Sequence, residues 1–230
     1  PDIRRQKKAS NSLRINAIFV LLLKTNRPLL FIDRERYYPL RKNVQNSYRL
    51  NINSQQIFFD LVKTGLHQRK SLDLVFPSSE IISDEMLPHF IRGYYDGDGC
   101  ITGWYRKIKT VKETEARTYQ VDTRMVCTLE FLEEMKYRIK PFVPINIYTS
   151  KRFKDKKNCF NFHVSGNLQC LKFLEFMYKD ATIYLQRKHS RLIEIVNICY
   201  ARPHKNNKCK LYIGSSEFFK SLLNRRMVEV

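Results

Sequence analysis

The chain has 230 residues, and its 42 Lys and Arg against 22 Asp and Glu give a formal net charge of +20. That length holds one large domain or two small ones, and so basic a balance points to a polyanionic partner, nucleic acid ahead of an anionic membrane. The longest apolar stretch, 17–23, is too short to span a bilayer, and the six cysteines show no C-x-x-C pair or zinc spacing, so they read as free thiols rather than a disulfide framework.

In chain order, Leu13-Arg14-Ile15-Asn16-Ala17 alternates like a strand, 18–25 reads as a short buried helix, and 29–32 as a second strand. A basic, aromatic loop with Arg34, Arg36, Tyr37 and Tyr38 follows. Tyr48-Arg49-Leu50-Asn51-Ile52 is a strand, and Ser54 caps a helix running to Thr64 and closed by Gly65. Residues 77–83 form a linker, and Asp84 is placed to cap the next helix, which ends near residue 98. The segments 100–109 and 118–127 form a long hairpin, 129–139 an amphipathic helix stopped by Pro141, and 145–148 and 160–164 two further strands. Helices are expected over 168–178 and 182–200, followed by a basic, mixed tail over 201–230.

The halves parallel each other. Tyr48-Arg49-Leu50-Asn51-Ile52-Asn53-Ser54 leads into a helix and Gln68-Arg69-Lys70-Ser71, while Phe160-Asn161-Phe162-His163-Val164-Ser165-Gly166 leads into helices and Gln186-Arg187-Lys188-His189-Ser190. Upstream, Leu13-Arg14-Ile15 parallels Thr123-Arg124-Met125, which together argue a two-fold internal repeat.

The most informative run is Phe90-Ile91-Arg92-Gly93-Tyr94-Tyr95-Asp96-Gly97-Asp98-Gly99. Gly93 and Gly97 at i, i+4 permit close helix packing, and the last four residues alone make an ordinary polar turn. Carboxylates at a helix C-terminus oppose the macrodipole, however, so keeping Asp96 and Asp98 there points to a cation. Gly97 and Gly99 are expected to supply φ > 0 at the helix-to-strand corner.

With its flanks, 87–101, this run resembles the signature helix of the LAGLIDADG homing endonucleases over its full length. The segment 65–72 with Phe76-Pro77 resembles what precedes the second such helix in two-motif members, and 173–188 resembles their C-terminal part. The resemblance implies an α+β fold of αββαββα half-domains with saddle-shaped antiparallel sheets about a pseudo-two-fold axis. A first, incomplete half would fill 1–83, a complete second half 84–200, and a basic tail 201–230. It further implies that Gly93 and Gly97 let two motif helices pack, and that Asp98, with the Gly99 carbonyl beside it, ligates Mg²⁺. Lys70 and Lys188 would flank the metals, where either could polarise a nucleophile or simply hold phosphate.

Nucleic-acid contacts would fall on the strands: Trp104, Tyr105, Arg106 and Lys107 in the hairpin, Tyr119, Gln120 and Arg124 opposite, and Arg34, Arg36 and Arg49 in the first half. Lys151, Arg152 and Lys154 would touch phosphates. Residues 1–12 contain neither glycine nor an apolar helix, so the partner motif is expected upstream or on a second chain. The pattern leaves two functions open. One is a Mg²⁺-dependent, site-specific DNA endonuclease. The other is a non-cleaving RNA-binding protein, a maturase or a ribonucleoprotein subunit, using the same basic saddle on structured RNA. The abundance of Lys, Asn, Ile, Phe and Tyr suggests an AT-rich, organellar genome.

Overall fold

The computed structural model describes residues 13–15, 36–37, 50–52, 55–64, 72–109, 115–151, 158–202 and 207–223. The chain divides into two units, Pro1–Lys70 and Ser71–Val230, a boundary earlier than residue 83. In the first unit β1 (Leu13–Ile15), β2 (Arg36–Tyr37) and β3 (Leu50–Ile52) form an antiparallel sheet in the order β1-β3-β2, and α1 (Gln55–Lys63) follows. The helix expected over 18–25 and the strand over 29–32 lie outside the described residues.

The second unit runs α2 (Leu87–Asp98), β4 (Cys100–Lys109), β5 (Glu115–Cys127), α3 (Leu129–Ile139), β6 (Tyr148–Lys151), β7 (Phe160–Ser165) and α4 (Asn167–Tyr178). This is an αββαββα unit with an antiparallel sheet in the order β4-β5-β7-β6, so the fold is α+β as expected. Three more helices follow: α5 (Gln186–Ala201), α6 (Lys208–Ser215) and α7 (Glu217–Leu223). Ile101, Val121, Met125, Phe162 and Val164 alternate onto one side of the sheet. There they bury apolar surface with Leu87, Ile91 and Tyr95 of α2, Leu132 and Met135 of α3, and Leu174 and Met177 of α4.

The internal repeat extends to strand register. In the first unit Arg14 pairs with Asn51 and Ile15 with Leu50, and in the second Arg124 pairs with His163 and Met125 with Phe162. These are the pairs that the sequence parallels require, and the strand order β1-β3-β2 repeats β5-β7-β6.

Helix α3 carries its limits in its own residues. Thr128 accepts from the Phe131 N–H at 3.2 Å as N-cap, Glu130 lies in the first turn, and Lys136 and Arg138 lie in the last. Elsewhere the structure departs from expectation. Asp84 does not cap α2, which begins at Leu87 with Pro88 in its first turn. The Asp84 carboxylate instead accepts from buried Arg138 at 2.8 Å, and the same guanidinium reaches the Ile82 carbonyl at 2.7 Å, pinning the linker to α3. The strand placed at 145–148 begins at Tyr148, because Ile145 and Ile147 pack against the core from a loop after Pro144. Helix α5 starts at Gln186 rather than at Thr182, with Leu185 extended before it. The segment after residue 200 is not a mere tail: Ile213, Phe219 and Leu222 of α6 and α7 are buried in the core of this unit. No helix among the described residues is long and apolar enough to cross a membrane, and all six cysteines are free.

Candidate nucleic-acid interface and motif centre

The end of α2 is built around three buried charges. Arg92 donates from Nε to the Ile183 carbonyl at 3.0 Å and from a terminal amine to the Met177 carbonyl at 2.9 Å, so it caps the C-terminus of α4. Lys188, on α5, is 3% exposed and donates to the carbonyls of Tyr95 and, at 2.5 Å, Gly99, so it closes the C-terminus of α2. Its ammonium also sits 4.7 Å from the Tyr95 ring centroid. Asp96 lies between the two cations, accepting the Tyr178 hydroxyl at 2.5 Å and the Leu185 N–H at 2.9 Å. Asp96, which the sequence groups with Asp98 as kept for a cation, thus orients the start of the helix that carries Lys188.

Burial, opposed by Asp96 and Asp98, holds the Lys188 ammonium down at about 8. Between about 8 and the ordinary lysine value of 10.5 the unfolded chain binds more protons than the folded one, so this group makes stability rise with pH there. The stability of the protein relative to Lys188→Met is therefore expected to climb from pH 8 to pH 10 in urea unfolding.

Asp98 differs from Asp96. It is the exposed last residue of α2, and no hydrogen bond or ion pair engages it among the described residues. Gly99 follows with φ −81° and ψ 165°, an extended conformation open to any residue, so the expected positive φ is absent there. Glycine is required for space instead: a Cβ would stand 2.6 Å from the Tyr95 carbonyl oxygen and overlap the Tyr95 ring. Gly93 is the opposite case, with helical backbone around it and open space to 4 Å where a Cβ would stand. Gly93→Ala is expected to raise stability by about 0.5–1 kcal/mol and Gly99→Ala to lower it by about 2 kcal/mol, as denaturant midpoints will show. Gly97 lies exposed one turn beyond Gly93 on the same helix face.

On the sheet, register sorts the expected contacts. Trp104 pairs with Gln120, Arg106 with Thr118, and Arg124 with Cys100 on one side and His163 on the other. Paired residues share a face, so Trp104, Arg106, Gln120 and Arg124 all lie on the side opposite the core. Trp104 remains 43% exposed. Lys107 and Lys151, although exposed, fall in the core-facing phase beyond the edge of the core. Tyr119 is no surface contact: it is buried beneath Gly103, whose missing side chain leaves room for its hydroxyl. Arg36, in β2, pairs through its backbone with Asn51 of β3. Lys70, Arg34, Arg49, Arg152 and Lys154 lie outside the described residues.

Two residues of this face escape a reading of the sequence. Asp122, 3% exposed through its side chain, accepts from the Nε of Arg124 on one oxygen, and its other oxygen lies against the Nε2 of His163 without a hydrogen bond. Tyr148 lies directly opposite His163 on β6. The only signal was phase, since Asp122 shares its strand face with Gln120 and Arg124.

Among the described residues no group of three or more His, Cys, Asp or Glu could hold a metal ion. Asp98 offers one free carboxylate, and the Gly99 carbonyl already accepts from Lys188. Mg²⁺ prefers six oxygen ligands, often one or two carboxylates completed by phosphate and water. The described residues do not form such a site by themselves.

No family profile matches the chain, and no curated protein matches it. Among solved structures it is similar to the LAGLIDADG meganuclease I-AabMI bound to uncleaved DNA, at 11% identity over 92% of this chain and 87% of that one, with a TM-score of 0.49. It is similar to the meganuclease I-SmaMI bound to uncleaveable DNA, at 11% identity over 91% and 86%, TM-score 0.48. A third likeness is to the homing endonuclease I-CvuI in complex with the I-CreI target in the presence of Mg, at 14% identity over 64% and 87%, TM-score 0.36.

Proposed function

We propose that the chain is a nucleic-acid-binding protein of the homing-endonuclease type, which lays the outward face of its four-stranded sheet on duplex DNA. One observation carries the reading. Trp104, Arg106, Gln120 and Arg124 share a face opposite the core, and that face begins at the corner where Asp98 stands exposed and unengaged. A twisted antiparallel sheet with long polar side chains in phase fits a major groove, and a net charge of +20 supplies the phosphate attraction. Residues 87–101 carry the family resemblance, and a divalent cation bound there would activate water or stabilise the leaving oxygen. Asp98 would be its ligand from this unit, with the remaining ligands drawn from phosphate, water and a carboxylate outside the described residues.

A second reading is an RNA-binding role without cleavage, in a maturase or ribonucleoprotein. The observation favouring it is the exposure of Trp104 and Tyr148 beside Arg106 and Arg124, since aromatic and guanidinium planes stack unpaired bases. The test is a competition between random-sequence DNA duplexes and a structured intron RNA, followed by incubation of a long-site DNA library with Mg²⁺. Duplex preference with cutting that disappears in Asp98→Asn supports the nuclease. Tight RNA binding with no cutting by the unmutated chain would sink it and leave the second reading.

A further inference from the structure

We propose that Asp122 is a positioning residue that presents Arg124 for recognition of a guanine in the DNA major groove; this deepens the duplex-binding reading above and rests on it. Asp122 belongs to the outward phase of β5, yet its side chain is 3% exposed, while that of Arg124, two residues on, is 59% exposed. A buried carboxylate needs partners: the Nε–H of Arg124 donates to one oxygen of this one, while the other lies against His163 Nε2 without a hydrogen bond. The pairing of Arg124 with His163 across β5 and β7 fixes the spacing that lets one carboxylate reach both.

Which nitrogen Asp122 takes is the informative detail. It accepts from Nε, at the root of the guanidinium, and the two terminal amines have no hydrogen-bond partner among the described residues. Guanine offers O6 and N7 side by side in the major groove, and a paired set of guanidinium N–H donors matches them. Held at Nε, the planar group loses its rotamer freedom on folding rather than on binding, so its free end is oriented before DNA arrives. Gln120 and Trp104 lie on the same face, one pair beyond Asp122 and Thr102. In the sequence parallel Arg14 corresponds to Arg124 but Ser12 to Asp122, so the first half carries no carboxylate at that place in the repeat.

The experiment selects binders from a pool of random-sequence duplexes with the unmutated protein, Arg124→Ala and Asp122→Asn, and measures non-specific affinity on the unselected pool. The expected result is one position where guanine is enriched, with the preference abolished in Arg124→Ala and reduced about tenfold in Asp122→Asn while non-specific affinity holds. Replacing that guanine by 7-deazaguanine, which lacks N7, should weaken the unmutated protein about tenfold and leave Arg124→Ala unaffected. Because Asp122→Asn could perturb folding, NMR of the free unmutated protein supplies an independent arm: the Arg124 Nε–H should be protected from exchange before DNA is added. A guanine preference indifferent to Arg124, an unaltered response to 7-deazaguanine, or an unprotected Nε–H overturns the inference alone. Failure to bind any duplex overturns it together with the duplex-binding reading.

Discussion

Replacing Asp96 by alanine is expected to lower stability by about 3 kcal/mol and the melting temperature by about 8 °C, whereas Asp98→Asn should leave both unchanged. The two carboxylates are two residues apart, but their surroundings are opposite. Asp96 is buried and accepts from the Tyr178 hydroxyl and the Leu185 N–H. Its removal leaves the buried Tyr178 hydroxyl and the part-buried Leu185 N–H without their acceptor, and takes away a carboxylate that attracts both the ammonium of Lys188 and the guanidinium of Arg92. Each loss alone is worth a large part of the expected effect. Asp98 is exposed and makes no hydrogen bond or ion pair among the described residues, so its removal deprives no buried group of a partner. Equilibrium urea unfolding of the two variants side by side makes the comparison, and equal losses would contradict this division of roles. A variant that keeps its stability and loses cutting, if cutting is found, would then place Asp98 in the chemistry without ambiguity.

The second large effect concerns salt. Raising monovalent salt from about 50 to about 200 mM is expected to weaken duplex binding about a thousandfold, as about six neutralised phosphates require. The basis is the surplus of 42 basic over 22 acidic residues together with a sheet face bearing Arg106 and Arg124. Counterion release makes the logarithm of affinity fall linearly with that of salt, with a slope near −0.9 per phosphate. Fluorescence anisotropy on one duplex at several salt concentrations gives the slope directly. A flat response would mean that the charge is solvated surface rather than binding surface. Arg106→Ala should make the slope shallower by about one if that side chain meets a phosphate.

The elements legible in the sequence are those whose signals are local. The hairpin announces itself by alternation and α3 by its amphipathic period and by Pro141; the structure keeps the limits of α3 but begins the second hairpin strand at Glu115 rather than at Thr118. Ile145 and Ile147 mislead because apolar alternation reports burial, and a loop can bury alternate residues without joining a ladder. Helices α6 and α7 are missed because eight- and seven-residue helices give too few turns for a periodic signal. At the motif, the exposure of Asp98 and the burial of Asp96 follow from partners far along the chain, which spacing cannot reveal. Gly99 draws notice for the wrong reason, since its need is clearance from Tyr95 and not a left-handed backbone. Asp122 escapes because a polar residue in the outward phase of a strand ordinarily faces water.

The closure of α2 has a further consequence for how the molecule is made. Tyr178, Leu185 and Lys188, which fix its C-terminal turn, stand 82, 89 and 93 residues beyond the groups they meet. A ribosome delivers α2 and the whole hairpin well before it delivers α5. During that interval Asp96 has no donors from α4 or α5, the α2 carbonyls lack their lysine, and Asp98 rides on a frayed end. A nascent chain halted before residue 188 would carry the acidic motif and much of the basic charge without the clamp that orients them. The corner bearing Asp98 is therefore assembled late, and a chain cut short before Lys188 keeps most of the basic charge without the closed end of α2.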